Sequence, residues 1–395
     1  MNVNGSRIVR DLLNLGHIGY EEQKGTSRMA YTAAFCEGRD YVQKLMEEAG
    51  METYVDPVGN LVGRLEGNDK KIISIGSHID TVPEGGMYDG TLGVIAGIEV
   101  IRSLKENGYQ NHHTIEIIAF NEEEGNIVGG TFGSKAFTGQ PQEEDALNKI
   151  GFFDMSEEGI RKTERNPDDY KCYLELHIEQ GGILEQKKIP VGVVEGIFGI
   201  VRYHITVHGK ANHAGSTPMY LRDDALVKAS RMIGRLVEIA GEQDPTMTCT
   251  IGKLDIEPGA VNVIPGEVRF CLELRSMNTQ AISGTVEQFR KEFAHENVEV
   301  KNFLWQDPTR MNDTLKEVFR TCCREKEIEF IDIPSGAGHD SINMALFTPT
   351  GMLFVPSIGG ISHSILEYST PEDIELGTSI LLEALLKIDS EEVKI

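Results

Sequence analysis

The sequence predicts an α/β protein in which one large domain is interrupted by a smaller inserted domain of ferredoxin-like βαββαβ order. Three observations carry this. The chain has 395 residues, more than a single hydrophobic core usually serves. Short apolar runs alternate with amphipathic helical patterns in both flanks of the chain, the grammar of a sheet covered on both faces. Between residues 201 and 314 that grammar gives way to alternating strands and two long helices.

From residue 35, FCEGRDYVQKLMEEAG reads as an amphipathic helix closed by Gly50, and METYVDPVGNLVGRLEG as strand, turn and strand. KIISIGSHID is an apolar run ending in polar residues, a buried strand. GTLGVIAGIEVIRSLKENG is a helix ended by Gly108, and TIEIIAFNEEEG is a second buried strand ending in charges. Sites in such sheets are built at the carboxyl ends of strands, where HID and NEEEG both fall. Then VRYHITVHG alternates as a strand and RDDALVKASRMIGRLVEIAG is a long amphipathic helix. TMTCTIGKLDI and EVRFCLELRS are strands flanking a turn at Pro265-Gly266, TQAISGTVEQFRKEFAHE is a helix and VEVKNFLW a last strand. LKEVFRTCCREKEIEF resumes the helix-then-strand order, and GMLFVPSIGGISHS precedes a C-terminal helix. The domains expected are 1–200 with 315–395, and 201–314.

Hydrophobic residues at 40% and charged residues at 25% fit an ordinary soluble protein. A net charge of −24 argues against nucleic acid or an anionic membrane as partner, since both would be repelled. No basic segment followed by an apolar stretch opens the chain, and no apolar run approaches the ~20 residues of a spanning helix. A cytoplasmic location is expected. The six cysteines are scattered, with only Cys322 and Cys323 adjacent, which suits reduced, mostly buried thiols. No GxSxG elbow is present, so a serine hydrolase is disfavoured.

The strand ends collect the chemistry. GSHIDTVPEGGMYDG offers His78, Asp80 and Asp89; NEEEG offers Glu122, Glu123 and Glu124; ELHIEQGGILE offers His177, Glu179 and Gln180; GGISHS offers His363. Imidazole with carboxylate is a ligand set for zinc, manganese, cobalt or nickel. Three histidines with two carboxylates make two ions sharing one carboxylate natural. The plainer readings differ in weight. Of 11 histidines, His17, His112, His113 and His295 sit beside helix ends and polar loops and read as ordinary surface or packed residues. His78 follows a buried strand and has Asp80 two residues on to orient its ring, as metal-bound histidines require. The glutamate run alone could equally be a solvated helix start.

In order along the chain, GSHIDTVPEGGMYDGTLGVIAGIEV, NEEEG, ELHIEQGGILE, GKANHAGSTPM, GAVNVIPGE, SGAGHD and VPSIGGISHS resemble the amidase/hydantoinase/carbamoylase group of di-metal hydrolases. That group lies within the wider aminoacylase/carboxypeptidase-like superfamily, and the resemblance covers nearly the whole chain. It implies a di-metal catalytic domain with an inserted lid and dimerisation domain, and two divalent ions per subunit, manganese, zinc, cobalt or nickel. It further implies that His78 and His177 bind one ion, that Asp89 bridges, and that Glu124 and His363 bind the other. Glu123 would then be the general base and Asp80 would orient His78. Relatives in the wider superfamily carry one more residue before the glycine, which would move ligand and base to Glu123 and Glu122.

The same resemblance makes His213 the donor to the developing oxyanion, often reached across a dimer, and Asn262 with Arg275 a substrate carboxylate pair. Taken alone, His213 would read as a cap on the turn before Pro218, and Arg275 as a solvated charge. Gln180, Gly359 and Gly360 are expected to line the pocket, although the glycines alone read as a plain turn; His339 is assigned nothing beyond a supporting hydrogen bond. With ligands and substrate contacts on different domains, closure would assemble the site. The implied activity is removal of the carbamoyl group from an N-carbamoyl-L-amino acid, a small ureido acid, by a homodimer. Allantoate amidohydrolase is the runner-up, with ureidoglycolate or β-ureidopropionate hydrolase beside it. A dipeptidase or aminoacylase is opposed by ELHIEQG, and a silent binding protein by the intact ligand and base set.

Overall fold

The computed structural model describes residues 1–142 and 156–395. The chain divides into two compact units, Met1–Glu195 with Arg310–Ile395, and Gly196–Thr309. The junctions at 195/196 and 309/310 fall earlier than the expected 200/201 and 314/315. At the first junction the reason is that strand pairing reaches back to Gly199, opposite Ser276.

The larger unit is built on a sheet whose strands run Val191–Ile197, Thr350–Val355, Tyr170–Ile178, Asp69–His78, His113–Phe120, Leu61–Leu65 and Glu52–Val55, side by side. The four strands from Thr350–Val355 to His113–Phe120 are mutually parallel. Their sequences are apolar almost throughout because both faces are covered. On one face Ile73, Ile75, Ile115, Ile117, Leu174 and Leu176 pack with the helices Gly5–Gly16, Thr91–Glu106 and Pro371–Asp389. On the other, Ile72, Ile118, Phe120, Tyr170 and Tyr173 pack with Phe137 and Met344. The N-terminal helix Gly5–Gly16, which the reading from residue 35 passed over, is capped by Asn4, whose side chain accepts from the Arg7 N–H. Arg7 makes a two-point ion pair with buried Glu99.

Parallel register decides where the site lies. His78 stands opposite Phe120, and His177 opposite Phe354. The pairing of Ile75 with Leu174 carries His78 and His177 to the same level on neighbouring strands. The polar ends of these runs are thereby gathered along one edge.

The smaller unit has the strands Gly199–His208, Thr248–Glu257, Glu267–Ser276 and Val298–Gln306 and the helices Ala225–Gln243 and Thr279–Glu292. Its antiparallel sheet, in sequence order of strands, runs second, third, first, fourth. This is the βαββαβ unit the sequence predicts. Val201, Tyr203, Ile205, Val207, Phe270 and Leu272 form its core with Leu236, Ile239 and Phe289 from the helices. The expected tight turn at Pro265-Gly266 is part of a longer connection. Within it Val263–Ile264 pairs with Asn212–His213 as a separate small ladder.

The six cysteines are all free, but only Cys172, Cys322 and Cys323 are buried; Cys36 is exposed. No helix among the described residues is long and apolar enough to cross a membrane.

Candidate metal centre

His78, the last residue of its strand, is 2% exposed. Its Nδ1 lies 3.0 Å from the Asp80 carbonyl, which takes the Nδ1–H and leaves the Nε2 lone pair facing the site. His177 repeats this, with Nδ1 2.9 Å from the Ile178 carbonyl. Both Nε2 atoms face one oxygen of Asp89, at 3.6 Å from His78 and 3.2 Å from His177. The other Asp89 oxygen faces His363 Nε2 at 3.1 Å, and Glu124 stands 3.5 Å from that same imidazole nitrogen. Two sets of donors, His78–Asp89–His177 and Asp89–Glu124–His363, each have ligand atoms within 4.8 Å of one another. Asp89 belongs to both. Gly90 follows it at φ 65°, and a Cβ there would lie 2.4 Å from the His78 ring, so the close approach needs glycine.

The glutamate run divides by direction. Glu122 has φ 59° and turns its carboxylate back on its own loop, where one oxygen accepts the N–H groups of Ile127 and Val128 at 2.5 Å and of Gly129 at 3.4 Å. Glu123 points the other way, 3.8 Å from His78 Nε2. Asp80 does more than flank His78: its two oxygens accept the backbone N–H groups of Glu123 at 3.2 Å and Glu124 at 3.1 Å.

The electrostatics of this cluster call for cations. Burial, followed by the nearby Asp89 charge, pushes the Glu124 carboxyl up to about 7. Burial drives Glu123 well above the usual range, with Asp340 and Glu124 adding to it. Hydrogen bonding to Asp89 lifts His363 to about 9. Among the described residues, the ion-pair partners of Asp80, Asp89, Glu123 and Glu124 are histidines alone. Carboxylates crowded together in this way, with imidazoles and the charge of buried Arg28 acting on Asp80 to offset them, are stabilised further by divalent cations, and mixed imidazole–carboxylate donors suit transition ions. The residues present therefore fit divalent metal.

Gln180, at φ 57°, donates from Nε2 to Asp89 at 2.7 Å, while its Oε1 is buried without a partner. Gly359 and Gly360 both have positive φ; the Gly360 N–H donates to the Ser357 carbonyl at 3.0 Å, closing a turn, and the Gly359 N–H donates to Glu185 at 2.7 Å. His339 bonds Ser335 Oγ at 2.8 Å and sets its ring edge-on to His177, centroids 4.5 Å apart.

His213, Asn262 and Arg275 belong to the smaller unit. There His213 pairs with Val263, and the Asn262 carbonyl accepts the Ala214 N–H, so His213 and Asn262 are neighbours. His213 Nδ1 accepts from Gly215 and Ser216, which caps the turn and also leaves Nε2–H as an outward donor. Arg275 lies at the opposite end of the strand that begins at Glu267, opposite Ile200, with its Nε 2.8 Å from Glu273. From Glu267 to Arg275 that strand covers roughly 26 Å at about 3.3 Å per residue.

Sequence reasoning missed Glu367 and Ser362. Ser362 Oγ lies 3.0 Å from an Asp89 oxygen and 2.8 Å from a Glu367 oxygen, so its single proton is shared between the two carboxylates. A glutamate four residues after His363 in ISHSILEYS was the available signal, but only tertiary contacts give it a partner.

Two donor sets sharing a carboxylate, at the carboxyl edge of a parallel sheet interrupted by a βαββαβ insertion, define a metal-dependent hydrolase. The chain belongs to peptidase family M20/M25/M40, whose family model matches residues 74–387. It is 36% identical to an N-carbamoyl-L-amino acid amidohydrolase of Geobacillus stearothermophilus over 98% of this chain and 99% of the relative. It is 34% identical to an allantoate amidohydrolase of Bacillus subtilis over 95% of each. A solved amidase of the hydantoinase/carbamoylase family from Burkholderia multivorans superimposes with a TM-score of 0.87 at 32% identity, covering 98% of both chains.

Proposed function

We propose that the chain hydrolyses the ureido C–N bond of an N-carbamoyl-L-amino acid, giving the amino acid, ammonia and carbon dioxide. The observation that supports this most is Asp89 shared between two donor sets, with Glu123 buried beside them and outside both. In this reading His78, Asp89 and His177 hold one divalent ion and Asp89, Glu124 and His363 a second. When bound, such ions lower the pKa of water towards neutrality and polarise a carbonyl. Glu123 takes the proton of the attacking water and returns it to the α-nitrogen as the carbon–nitrogen bond breaks. The other product, carbamic acid, falls apart to ammonia and carbon dioxide, so one water is consumed in all. Gln180 holds Asp89 in place, and the turn of Gly359 and Gly360 borders the pocket.

His213, through Nε2–H, donates to the oxygen of the tetrahedral carbon. Asn262 and Arg275 hold the substrate carboxylate, Arg275 by its fork of donors. Asn262 belongs to the connection at the Glu267 end of the strand and Arg275 to its other end, roughly 26 Å along from Glu267, so in this reading a small substrate meets both through two copies. A homodimer joined through the smaller unit, which also acts as the lid, follows from that.

Allantoate is the second reading, favoured by the relatives named as allantoate amidohydrolases at 33–34% identity. The test strips the protein with chelator, restores manganese, zinc, cobalt or nickel singly, and assays ammonia release from N-carbamoyl-L-amino acids and from allantoate. Release from the former with at least one ion is expected. Release from allantoate alone selects the second reading, and no release from either overturns both.

A further inference from the structure

Glu367 is 5% exposed and sits where two segments far apart in sequence meet. Its Oε1 accepts the backbone N–H of Tyr88 at 2.9 Å and of Asp89 at 3.0 Å. Its Oε2 accepts the Ser362 hydroxyl at 2.8 Å and the backbone N–H of His363 at 3.3 Å. One carboxylate thus grips, with separate oxygens, the segment carrying the shared aspartate and the segment carrying His363. Gly86 completes the cradle, since a Cβ there would lie 2.1 Å from Glu367 Oε1.

The two donor sets are not held alike. His78 and His177 sit on paired parallel strands, are almost fully buried, and have their rings fixed by backbone carbonyls. His363 lies on a loop, its side chain 48% exposed and its backbone at φ 55°, a strained value for a residue with a side chain. Its ring meets Asp89, Glu124 and Gln180, partners an ion would reorganise, whereas its backbone is held through Glu367.

We infer that Glu367 is the positioning residue that sets the spacing of Asp89 and His363, and that the ion held by Asp89, Glu124 and His363 is the weaker-bound of the two and depends on it. This rests on the two-ion reading above and not on the identity of the substrate. A carboxylate with four donors cannot be replaced by a carboxamide without turning an N–H towards one of the two segments. Loss of such outer support typically weakens metal affinity 10–100-fold.

The test counts bound ions on the full chain by titrating cobalt into apoprotein and following its visible absorption, with elemental analysis as a second count. The wild type is expected to bind two ions in distinguishable steps. Glu367→Gln should keep the tighter step and shift the weaker one by at least tenfold. Gly86→Ala, which crowds the carboxylate without touching any ligand, should shift the same step in the same direction. It also decides the matter if Glu367→Gln does not fold. Wild-type affinity for both ions in either folded variant overturns the assignment to Glu367. Equal weakening of both steps overturns the inequality of the sites. A wild type that binds fewer than two ions overturns the two-ion reading itself, and Glu367 with it.

Discussion

Asp80 and Glu123 meet through the backbone: one Asp80 oxygen accepts the Glu123 N–H at 3.2 Å, while the other accepts that of Glu124. The end of one strand therefore dictates where the glutamates of the next begin. Replacing Asp80 by alanine leaves two backbone donors buried without acceptors, at ~1–3 kcal/mol each, and frees both glutamates. The expected outcome is a protein with lowered melting temperature and metal affinity reduced ~10–100-fold, measured by ion titration.

The three glutamates should separate by experiment. Glu123→Gln is expected to retain its ions and lose turnover by ~100-fold or more, as removal of a general base does. Glu124→Gln should lose an ion. Glu122→Gln should chiefly destabilise, since its carboxylate closes the loop at Ile127 to Gly129. Ion counts and kcat on the three variants check this. Persistence of activity in Glu123→Gln with its loss in Glu122→Gln would put base and ligand one residue earlier.

Removing the metal should cost stability as well as activity. Carboxylates at buried Asp89 and at half-buried Glu123 and Glu124 are then left crowded together. An ion present at 100 times its Kd adds about 2.7 kcal/mol to the folded state. Calorimetry with and without chelator should show the apoprotein melting lower, with recovery on adding ion.

Asp56 offers a pH test away from the ions. Burial pushes its carboxyl up to about 6, against hydrogen bonds from Asn60 and Val58. The folded state therefore holds the proton more tightly than the unfolded chain. The Asp56 contribution to stability is present at low pH, falls as pH rises from 3.8 towards about 6, and stays lost above it. The size is about 3 kcal/mol at 1.36 kcal/mol per unit. Compared with Asp56→Asn, the wild type should lose ground across that window in denaturant titrations, and a constant difference would contradict it.

The dimer proposal predicts complementation. His213→Ala and Arg275→Ala homodimers are each expected to be inactive. Mixed and reassembled, they should recover about a quarter of wild-type activity, since half the dimers then carry one intact site. No recovery from verified heterodimers would place both residues in one copy's site.

Candidate metal donors could be named before any coordinates because His78 and His177 close buried strands and Glu124 closely follows one, each announced by an apolar run such as KIISIGSH or TIEIIAF, whereas Asp89 and His363 stand on loops. Burial on both faces makes such runs continuous, and parallel pairing then brings their ends together. The βαββαβ insertion was readable for the same reason: alternation and helical periodicity are local properties. Local pattern could not say which way each glutamate points, since the positive φ of Glu122 is imposed by the loop it closes. Nor could it find Glu367, whose partners Tyr88 and Asp89 lie nearly three hundred positions away. That His213 pairs with the connection at the Glu267 end of the strand while Arg275 stands at its other end was likewise hidden, because it follows from how strands pair. The sequence by itself determined the strands and where their polar ends fall, and so named the candidate residues. The tertiary structure alone decided direction, spacing and support, because those depend on hydrogen bonds between segments that only folding brings into contact.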